Sequence, residues 1–197
     1  MVAHIPAALV AFRALVSPLL IWDAWDGTVS GWFLAGFIAA FLSDVFDGMI
    51  ARRLGVSTPR LRYADTWADI ALYVCVLASA WLVHRDALLA LGWPFALLLA
   101  STLASWSADL LKYRRLSSYH PWSAKAWGVT LAIAIVALFG WSYTGWAMWL
   151  MIGVGVLSNL ECIAMTLLLP RWTHDVPSLV HALRLPAAGA PQPSPRR

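Results

Sequence analysis

The stretch DVFDGMIARRLGVSTPRLRYADTWAD, Asp44 to Asp69, holds four aspartates, with one pair near each end and a cluster of arginines between them. Long apolar segments flank it, in a chain of 197 residues that is 61% hydrophobic and only 12% charged. A soluble domain is closer to half apolar and a quarter charged. The composition therefore indicates an integral membrane domain, and the four carboxylates need an explanation.

Six segments are apolar and long enough to cross the hydrocarbon core as helices, which takes about 20 residues. They run roughly over 5–22, 31–50, 64–83, 88–111, 124–142 and 145–169. We therefore predict an all-α fold, an integral membrane bundle of six transmembrane helices that forms one domain over residues 1–175. Residues 176–197 end in PAAGAPQPSPRR, and this proline-rich composition predicts a flexible cytoplasmic tail.

The basic residues predict the orientation of the bundle, because Lys and Arg are enriched in cytoplasmic loops. Most of them fall in 51–63, 112–123 and 170–197, whereas the opposite side carries only Arg85 beside Asp23, Asp26 and Asp86. We expect both termini in the cytoplasm, a multi-pass protein of the cell (inner) membrane, and the quoted stretch on the cytoplasmic side. Membrane lipid is an expected partner and nucleic acid is not.

The spacing of the aspartates predicts that they converge. Asp44 and Asp47 are three residues apart near the end of the second helix, and Asp65 and Asp69 are four apart near the start of the third. Each spacing places two side chains on one helix face, and Gly55 and Pro59 allow the chain to turn back between the helices. Carboxylates that close repel one another unless cations lie between them. Oxygen-only ligands favour magnesium, manganese or calcium, and four negative charges match two divalent ions.

A different interpretation of these charges stays open. The aspartates at a cytoplasmic helix end could be solvated, or paired with Arg52, Arg53 and Arg62. Two further intramembrane acids, Asp109 and Glu161, are expected to pair with Arg13 or Lys125 inside the bundle, since buried charges in membranes need partners.

The quoted stretch resembles the signature of the CDP-alcohol phosphatidyltransferase family, DxxDGxxAR, eight residues, then GxxxDxxxD. The positions that match at the right spacing are Asp44, Asp47, Gly48, Ala51, Arg52, Asp65 and Asp69. Leu61 replaces the second glycine of the signature, which suggests a reshaped cytidine pocket. The first helix, IPAALVAFRALVSPLL, is also similar to that of the phosphatidylglycerophosphate synthase-like branch.

The resemblance implies a function and roles for these residues. Asp44 and Asp65 would bridge two Mg²⁺ ions, or Mn²⁺ in their place, while Asp47 completes one metal site and Asp69 the other. Asp69 would also be the catalytic base on the acceptor hydroxyl. Arg52 and Thr58 would contact the CDP moiety of a CDP-linked lipid donor, beside Gly48 and Ala51. The family also implies a homodimer.

A second basic cluster, in the segment 112–128, suggests a small alcohol acceptor that carries a phosphate. Arg114, Arg115 and Lys125 are the candidates for binding it, and glycerol 3-phosphate or inositol phosphate fits such a site, while inositol itself stays open as an acceptor. Ordinary cytoplasmic positive charge explains the same residues. Serine and other headgroup alcohols stay open as acceptors.

Three other functions stay open at this point. A cation- or proton-coupled transporter would use the buried acids to bind its coupling ion, although such proteins usually have broken helices in repeated halves. An intramembrane prenyltransferase also uses aspartate-rich motifs with magnesium, but its two motifs lie far apart in sequence. The third is a catalytically altered CDP-lipid-binding member of the family, in which Leu61 has abolished transfer.

Overall fold

The structure is a computed structural model, and it describes residues 5–54, 58–116, 119, 121–173 and 176–184. These residues form helices and connecting segments. The helices are α1 (Ile5–Asp23), α2 (Gly31–Leu54), α3 (Pro59–Val83), α4 (Arg85–Ala90), α5 (Gly92–Tyr113), α6 (Trp122–Trp141), α7 (Trp146–Leu168) and α8 (Leu179–Arg184).

The prediction of six membrane-spanning helices is confirmed. In the described part of the chain, α1, α2, α3, α5, α6 and α7 are each long and apolar enough to cross a membrane. At about 1.5 Å of rise per residue, even α1 with its 19 residues is close to the thickness of the hydrocarbon core. Large apolar side chains such as Trp93 and Leu111 are almost fully exposed, which suits contact with lipid.

The chain divides into two compact units, and the first contains α1 to α4 with residues 136–143 at the end of α6. Within it, α1 packs against both α2 and α3. Small side chains are buried on all three helices, among them Ser17, Ala40, Ala68 and Ser79. Small residues let helix backbones approach closely in a membrane, where packing takes the place of the hydrophobic effect. Helix α1 is therefore the element that links α2 to α3.

One face of α1 is buried along its whole length. Pro6, Val10, Arg13, Ser17 and Leu20 are buried, and their spacing of three and four residues is that of a single helix face. Arg13 lies in the middle of this face. A charged side chain in that position needs partners of opposite charge, because an isolated buried charge is strongly unfavourable.

The turn between α1 and α2 is held by two aspartates. Asp26 Oδ1 accepts hydrogen bonds from the backbone N–H of Thr28 at 3.0 Å and from its hydroxyl at 2.9 Å. These bonds lower the pKa of Asp26 below its ordinary value. Asp23 Oδ2 accepts the N–H of Ser30 at 2.9 Å, and Gly27 takes the left-handed φ of 82° that the turn requires.

Aromatic contacts hold the end of α6 in the first unit. The rings of Phe33 and Phe139 lie 4.3 Å apart, and the ring of His84 meets Phe139 edge-on at 5.2 Å. Burial lowers the pKa of His84 below its ordinary value.

The second unit contains α5, the first part of α6, α7 and α8, and α5 packs against α7. Two side chains near the end of α5 bind the last carbonyls of α7, which have no partners within their own helix. Lys112 Nζ donates to the carbonyls of Thr166 at 2.8 Å and Leu167 at 2.9 Å. The Tyr113 hydroxyl donates to the carbonyl of Leu169 at 2.6 Å.

The segment 176–184 is folded onto this unit, although the sequence analysis placed it in the flexible tail. Val176 and Ala182 are buried in a cluster with Tyr119, Met165 and Leu169. Helix α8 begins where the N–H of Leu179 donates to Glu161 Oε1 at 2.9 Å. Residues 185–197 of the predicted tail lie outside the described part of the chain.

We expect Gly155→Ala to destabilise the second unit. A Cβ at Gly155 would lie 2.6 Å from Leu98 Cδ1 and 2.7 Å from Trp127 Nε1, and such overpacking costs about 1–3 kcal/mol. Gly153→Ala on the same helix is the matched control, since nothing lies within 4 Å of a Cβ there. Thermal melting in detergent micelles would compare the two variants. Equal melting temperatures would show that the second unit accommodates a Cβ at Gly155 without loss of stability.

Candidate metal and phosphate-transfer site

Local sequence signals set the position of the second aspartate pair. Thr58 is the N-cap of α3, because its hydroxyl oxygen accepts the backbone N–H of Leu61 at 3.2 Å. Pro59 follows as the first helical residue, where its missing N–H removes no hydrogen bond. Helix α3 therefore begins before Asp65, and Asp65 and Asp69 occupy successive turns of one face.

All four aspartates of the quoted stretch converge on Arg13 of α1. Nη1 lies 2.9 Å from Asp44 Oδ1, Nη2 lies 3.1 Å from Asp47 Oδ2, and Nε lies 3.1 Å from Asp69 Oδ1. Nη2 also contacts Asp65 Oδ1. The expected convergence of α2 and α3 thus occurs around a side chain from a third helix.

The four contacts with Arg13 are of two kinds. Nη2 donates hydrogen bonds to Asp47 and Asp65. Nη1 and Nε have no aligned hydrogen-bond partner, so their contacts with Asp44 and Asp69 are ion pairs without hydrogen-bond geometry. Each aspartate contacts the guanidinium through one of its two oxygens. The guanidinium therefore spans four carboxylates rather than forming a bidentate pair with one.

Burial differs sharply between the arginine and its partners. The Arg13 side chain is 0% exposed and that of Asp47 is 5% exposed. The side chains of Asp44, Asp65 and Asp69 are each about one-third exposed, at 37%, 33% and 34%. Arg13 is thus enclosed by protein while three of the carboxylates can be reached from outside. Four carboxylates also carry more negative charge than one guanidinium neutralises.

Three of the carboxylates fit a divalent cation. Asp44, Asp47 and Asp65 each offer an oxygen, and these oxygens lie within 4.8 Å of one another. Oxygens on opposite sides of a bound magnesium are about 4.2 Å apart, because each lies at about 2.1 Å from the ion. Small side-chain adjustments would therefore close the three around one ion. The set does not include Asp69.

The remaining motif residues are placed in part. Gly48 is partly buried on α2, and Thr58 is exposed at the start of α3. Ala51 and Arg52 belong to the last turn and a half of α2, and their side chains lie outside the described part. Leu61, the departure from the family signature, is partly buried and gives its N–H to Thr58.

The three candidate acceptor-binding residues are exposed in the second unit. Arg114 ends α5 with a left-handed φ of 56°. The Arg115 guanidinium stacks over the ring of Trp172 at 3.8 Å, and Lys125 Nζ lies 4.5 Å from the ring centroid of Trp122. Both contacts are cation–π interactions, and they leave the cationic groups accessible.

The expected pairing of Asp109 or Glu161 with Arg13 or Lys125 differs from what the structure has. Arg13 contacts the four motif aspartates, a role that the sequence analysis missed. Asp109 Oδ1 accepts the Thr166 hydroxyl at 2.6 Å, and Glu161 accepts the Ser123 hydroxyl as well as the N–H of Leu179. The available signal was an arginine in the middle of an apolar helix, which required several carboxylates nearby.

A comparison with protein-family models gives a match to the CDP-alcohol phosphatidyltransferase family over residues 3–157. The chain belongs to this family. No curated protein and no solved structure matches the chain significantly. The matched region includes all four aspartates and Arg13.

Membership of the CDP-alcohol phosphatidyltransferase family gives the site a chemical class. The family transfers a phosphatidyl group from a CDP-alcohol to an acceptor alcohol. Its members are typically dependent on divalent metal, which agrees with the oxygens offered by Asp44, Asp47 and Asp65. With six helices able to span a membrane, the chain is a multi-pass membrane transferase.

Proposed function

We propose that the protein transfers a phosphatidyl group from a CDP-linked lipid such as CDP-diacylglycerol to a small alcohol, with release of CMP, in phospholipid biosynthesis. The observation that carries this proposal is the convergence of Asp44, Asp47, Asp65 and Asp69 around one buried arginine. Four carboxylates in one small volume suit divalent cations, and the family match supplies the donor class.

In this proposal the aspartates hold two Mg²⁺ ions, which Mn²⁺ can replace. Asp44 and Asp65 would contribute to both ions, Asp47 would contribute to one and Asp69 to the other. When bound, such ions neutralise the negative charge that develops on the phosphoryl oxygens and on the leaving CMP. The partial exposure of Asp44, Asp65 and Asp69 supports a site that is open to a soluble substrate.

Asp69 is proposed to accept the proton of the acceptor hydroxyl. The oxygens of the other three aspartates lie close enough to share an ion, whereas Asp69 is outside that set. One of its oxygens contacts Arg13 Nε, and in this proposal the same carboxylate both completes the second metal site and takes the proton of the acceptor hydroxyl. The acceptor oxygen then attacks the phosphorus on the lipid side of the pyrophosphate, the phosphorus–oxygen bond to CMP breaks, and CMP leaves.

The donor is proposed to lie along the end of α2 and the start of α3. Gly48 and Ala51 allow the nucleotide to approach, and Arg52 and Thr58 contact its phosphates and sugar. The Thr58 hydroxyl uses its oxygen as the acceptor in the N-cap, so its O–H can donate to the donor molecule. We place this site on the cytoplasmic side of the cell membrane, in a homodimer.

The acceptor is proposed to carry a phosphate. Arg114, Arg115 and Lys125 are exposed, and arginine binds phosphate well through its planar guanidinium. Glycerol 3-phosphate is our first choice and inositol phosphate the second. The similarity of the first helix to the phosphatidylglycerophosphate synthase-like branch favours glycerol 3-phosphate.

A substrate panel tests the proposal directly. Purified protein in lipid nanodiscs would be incubated with CDP-diacylglycerol, Mg²⁺ and one alcohol at a time, and the lipid product identified by mass spectrometry. We expect CMP and a new phospholipid with one phosphorylated alcohol, and neither product in excess EDTA. The free alcohols glycerol and inositol are the matched controls for their phosphates.

Two outcomes of this panel would favour other functions. CDP-lipid binding without CMP release from any alcohol would indicate a catalytically altered member, for which the partly buried Leu61 at the glycine position is the specific reason. Absence of both binding and release, together with uptake driven by an ion gradient in proteoliposomes, would indicate a transporter.

A further inference from the structure

We propose that Arg13 is the positioning residue of the metal site, an internal counter-cation that gathers the four aspartates from behind and presents their remaining oxygens to divalent cations. This inference rests on the proposed function for the identity of the ions. It assigns a specific role to a residue of α1 that lies outside the motif stretch of α2 and α3.

The geometry of the contacts supports this role. Arg13 contacts an oxygen of each aspartate, while Asp44, Asp47 and Asp65 still offer oxygens within 4.8 Å of one another to an ion. Since Asp44 and Asp47 come from α2 and Asp65 and Asp69 from α3, the guanidinium connects the two halves of the site. No other described basic side chain forms a salt bridge with these four carboxylates.

The cluster of Arg13 and the four aspartates has a buried side and an exposed side. Arg13 is fully buried, and Asp47 is almost so, whereas Asp44, Asp65 and Asp69 are each about one-third exposed. An ion that arrives from water therefore meets the carboxylates before it meets the guanidinium. Arg13 can stay in place behind them while the ion binds in front.

The charges make such a residue necessary. Four carboxylates held within a few ångströms repel one another strongly in a partly buried site. One guanidinium reduces this repulsion without cancelling it, so the cluster keeps a net negative charge that attracts divalent cations. The guanidinium also has donors enough for several carboxylates at once, which the single ammonium of lysine cannot match in fixed geometry.

The test measures metal affinity and stability without reference to catalysis. Wild type, Arg13→Gln, Arg13→Lys and the control Arg85→Gln would be purified in nanodiscs, and Mn²⁺ binding followed by electron paramagnetic resonance. Thermal melting in excess EDTA would be measured in parallel. Arg85 is exposed and lies over the ring of Trp81, so its replacement removes one positive charge away from the aspartates.

We expect Arg13→Gln to weaken Mn²⁺ binding by about 10- to 100-fold, the usual cost of losing a group that orients metal ligands. Arg13→Lys should recover part of this loss, and Arg85→Gln should bind as wild type does. In EDTA, Arg13→Gln should melt below wild type, because its four carboxylates have lost their counter-cation. If Arg13→Gln fails to fold, a weaker Mn²⁺ affinity of Arg13→Lys carries the same conclusion.

Unchanged or tighter Mn²⁺ binding in Arg13→Gln, or in Arg13→Lys if the first variant does not fold, would overturn the inference. Tighter binding would mean that the guanidinium competes with the ion for the same oxygens. The proposed function fails separately, if wild type binds Mn²⁺ but releases no CMP from CDP-diacylglycerol with any alcohol. Absence of Mn²⁺ binding by wild type would overturn both the inference and the proposed metal site.

Discussion

Replacing Asp69 by asparagine is expected to lower the rate of CMP release by about 10²–10⁴-fold, the usual contribution of a general base. Asparagine has nearly the same size and keeps an oxygen beside Arg13 Nε, which lies 3.1 Å from Asp69 Oδ1. It cannot take the proton of the acceptor hydroxyl. The measurement is the steady-state release of CMP from CDP-diacylglycerol, with the acceptor identified by the substrate panel.

The matched control for this prediction is Asp86→Asn. Asp86 is an exposed aspartate in the first turn of α4, so the change removes the same charge without touching the cluster. Its rate should equal that of wild type. A rate for Asp69→Asn within a few-fold of wild type would remove Asp69 from the role of base, and a large loss in Asp86→Asn would make the effect nonspecific.

Asp65→Asn is expected to weaken metal binding more than any other substitution proposed here. Asp65 belongs to the set of three whose oxygens lie within 4.8 Å, and it also contacts Arg13. Loss of a group that only orients a metal ligand can weaken metal binding by about 100-fold. Asp65 is a direct ligand in this proposal, so its loss should weaken Mn²⁺ binding by at least that factor. Mn²⁺ binding and the increase in melting temperature on adding Mg²⁺ should both disappear, together with CMP release.

A suitable control here is Asp109→Asn, which changes a buried acid within a different spanning helix. Asp109 accepts a hydrogen bond from Thr166, so its replacement should lower stability while leaving Mn²⁺ affinity unchanged. Wild-type Mn²⁺ affinity in Asp65→Asn would contradict the assignment of Asp65 as a ligand.

The spanning helices could be predicted from the sequence because apolar runs of this length have few other structures in a membrane. The faces of the aspartates could also be predicted, since spacings of three and four fix neighbours on a helix. The span expected over 64–83 agrees with the spanning part of α3, Tyr63–Val83, but the helix itself begins before the membrane-spanning part, at Pro59. Thr58 followed by proline is a helix-start signal, so Pro59 both ends the turn after α2 and begins α3.

The part of the site that could not be predicted depends on tertiary packing. Arg13 is separated by 34 residues from Asp47 and by 52 from Asp65, and its contact with both requires α1 to pack against α2 and α3 together. The sequence shows an arginine within the apolar first helix, but not which helices pack around it. The short helices α4 and α8 were missed as well, because six residues each are too few to give a periodic pattern.

The attachment of residues 176–184 to the second unit has a practical consequence for handling the protein. The carbonyl of Pro177 accepts the N–H of Trp122 at 3.1 Å, and Leu179 donates to Glu161, so this segment fastens the beginning of α6 to α7. Shortening the chain to the family-matched region, residues 3–157, would cut through α7 and would also remove residues 176–184. An affinity tag for purification therefore belongs after residue 184, where it leaves both intact.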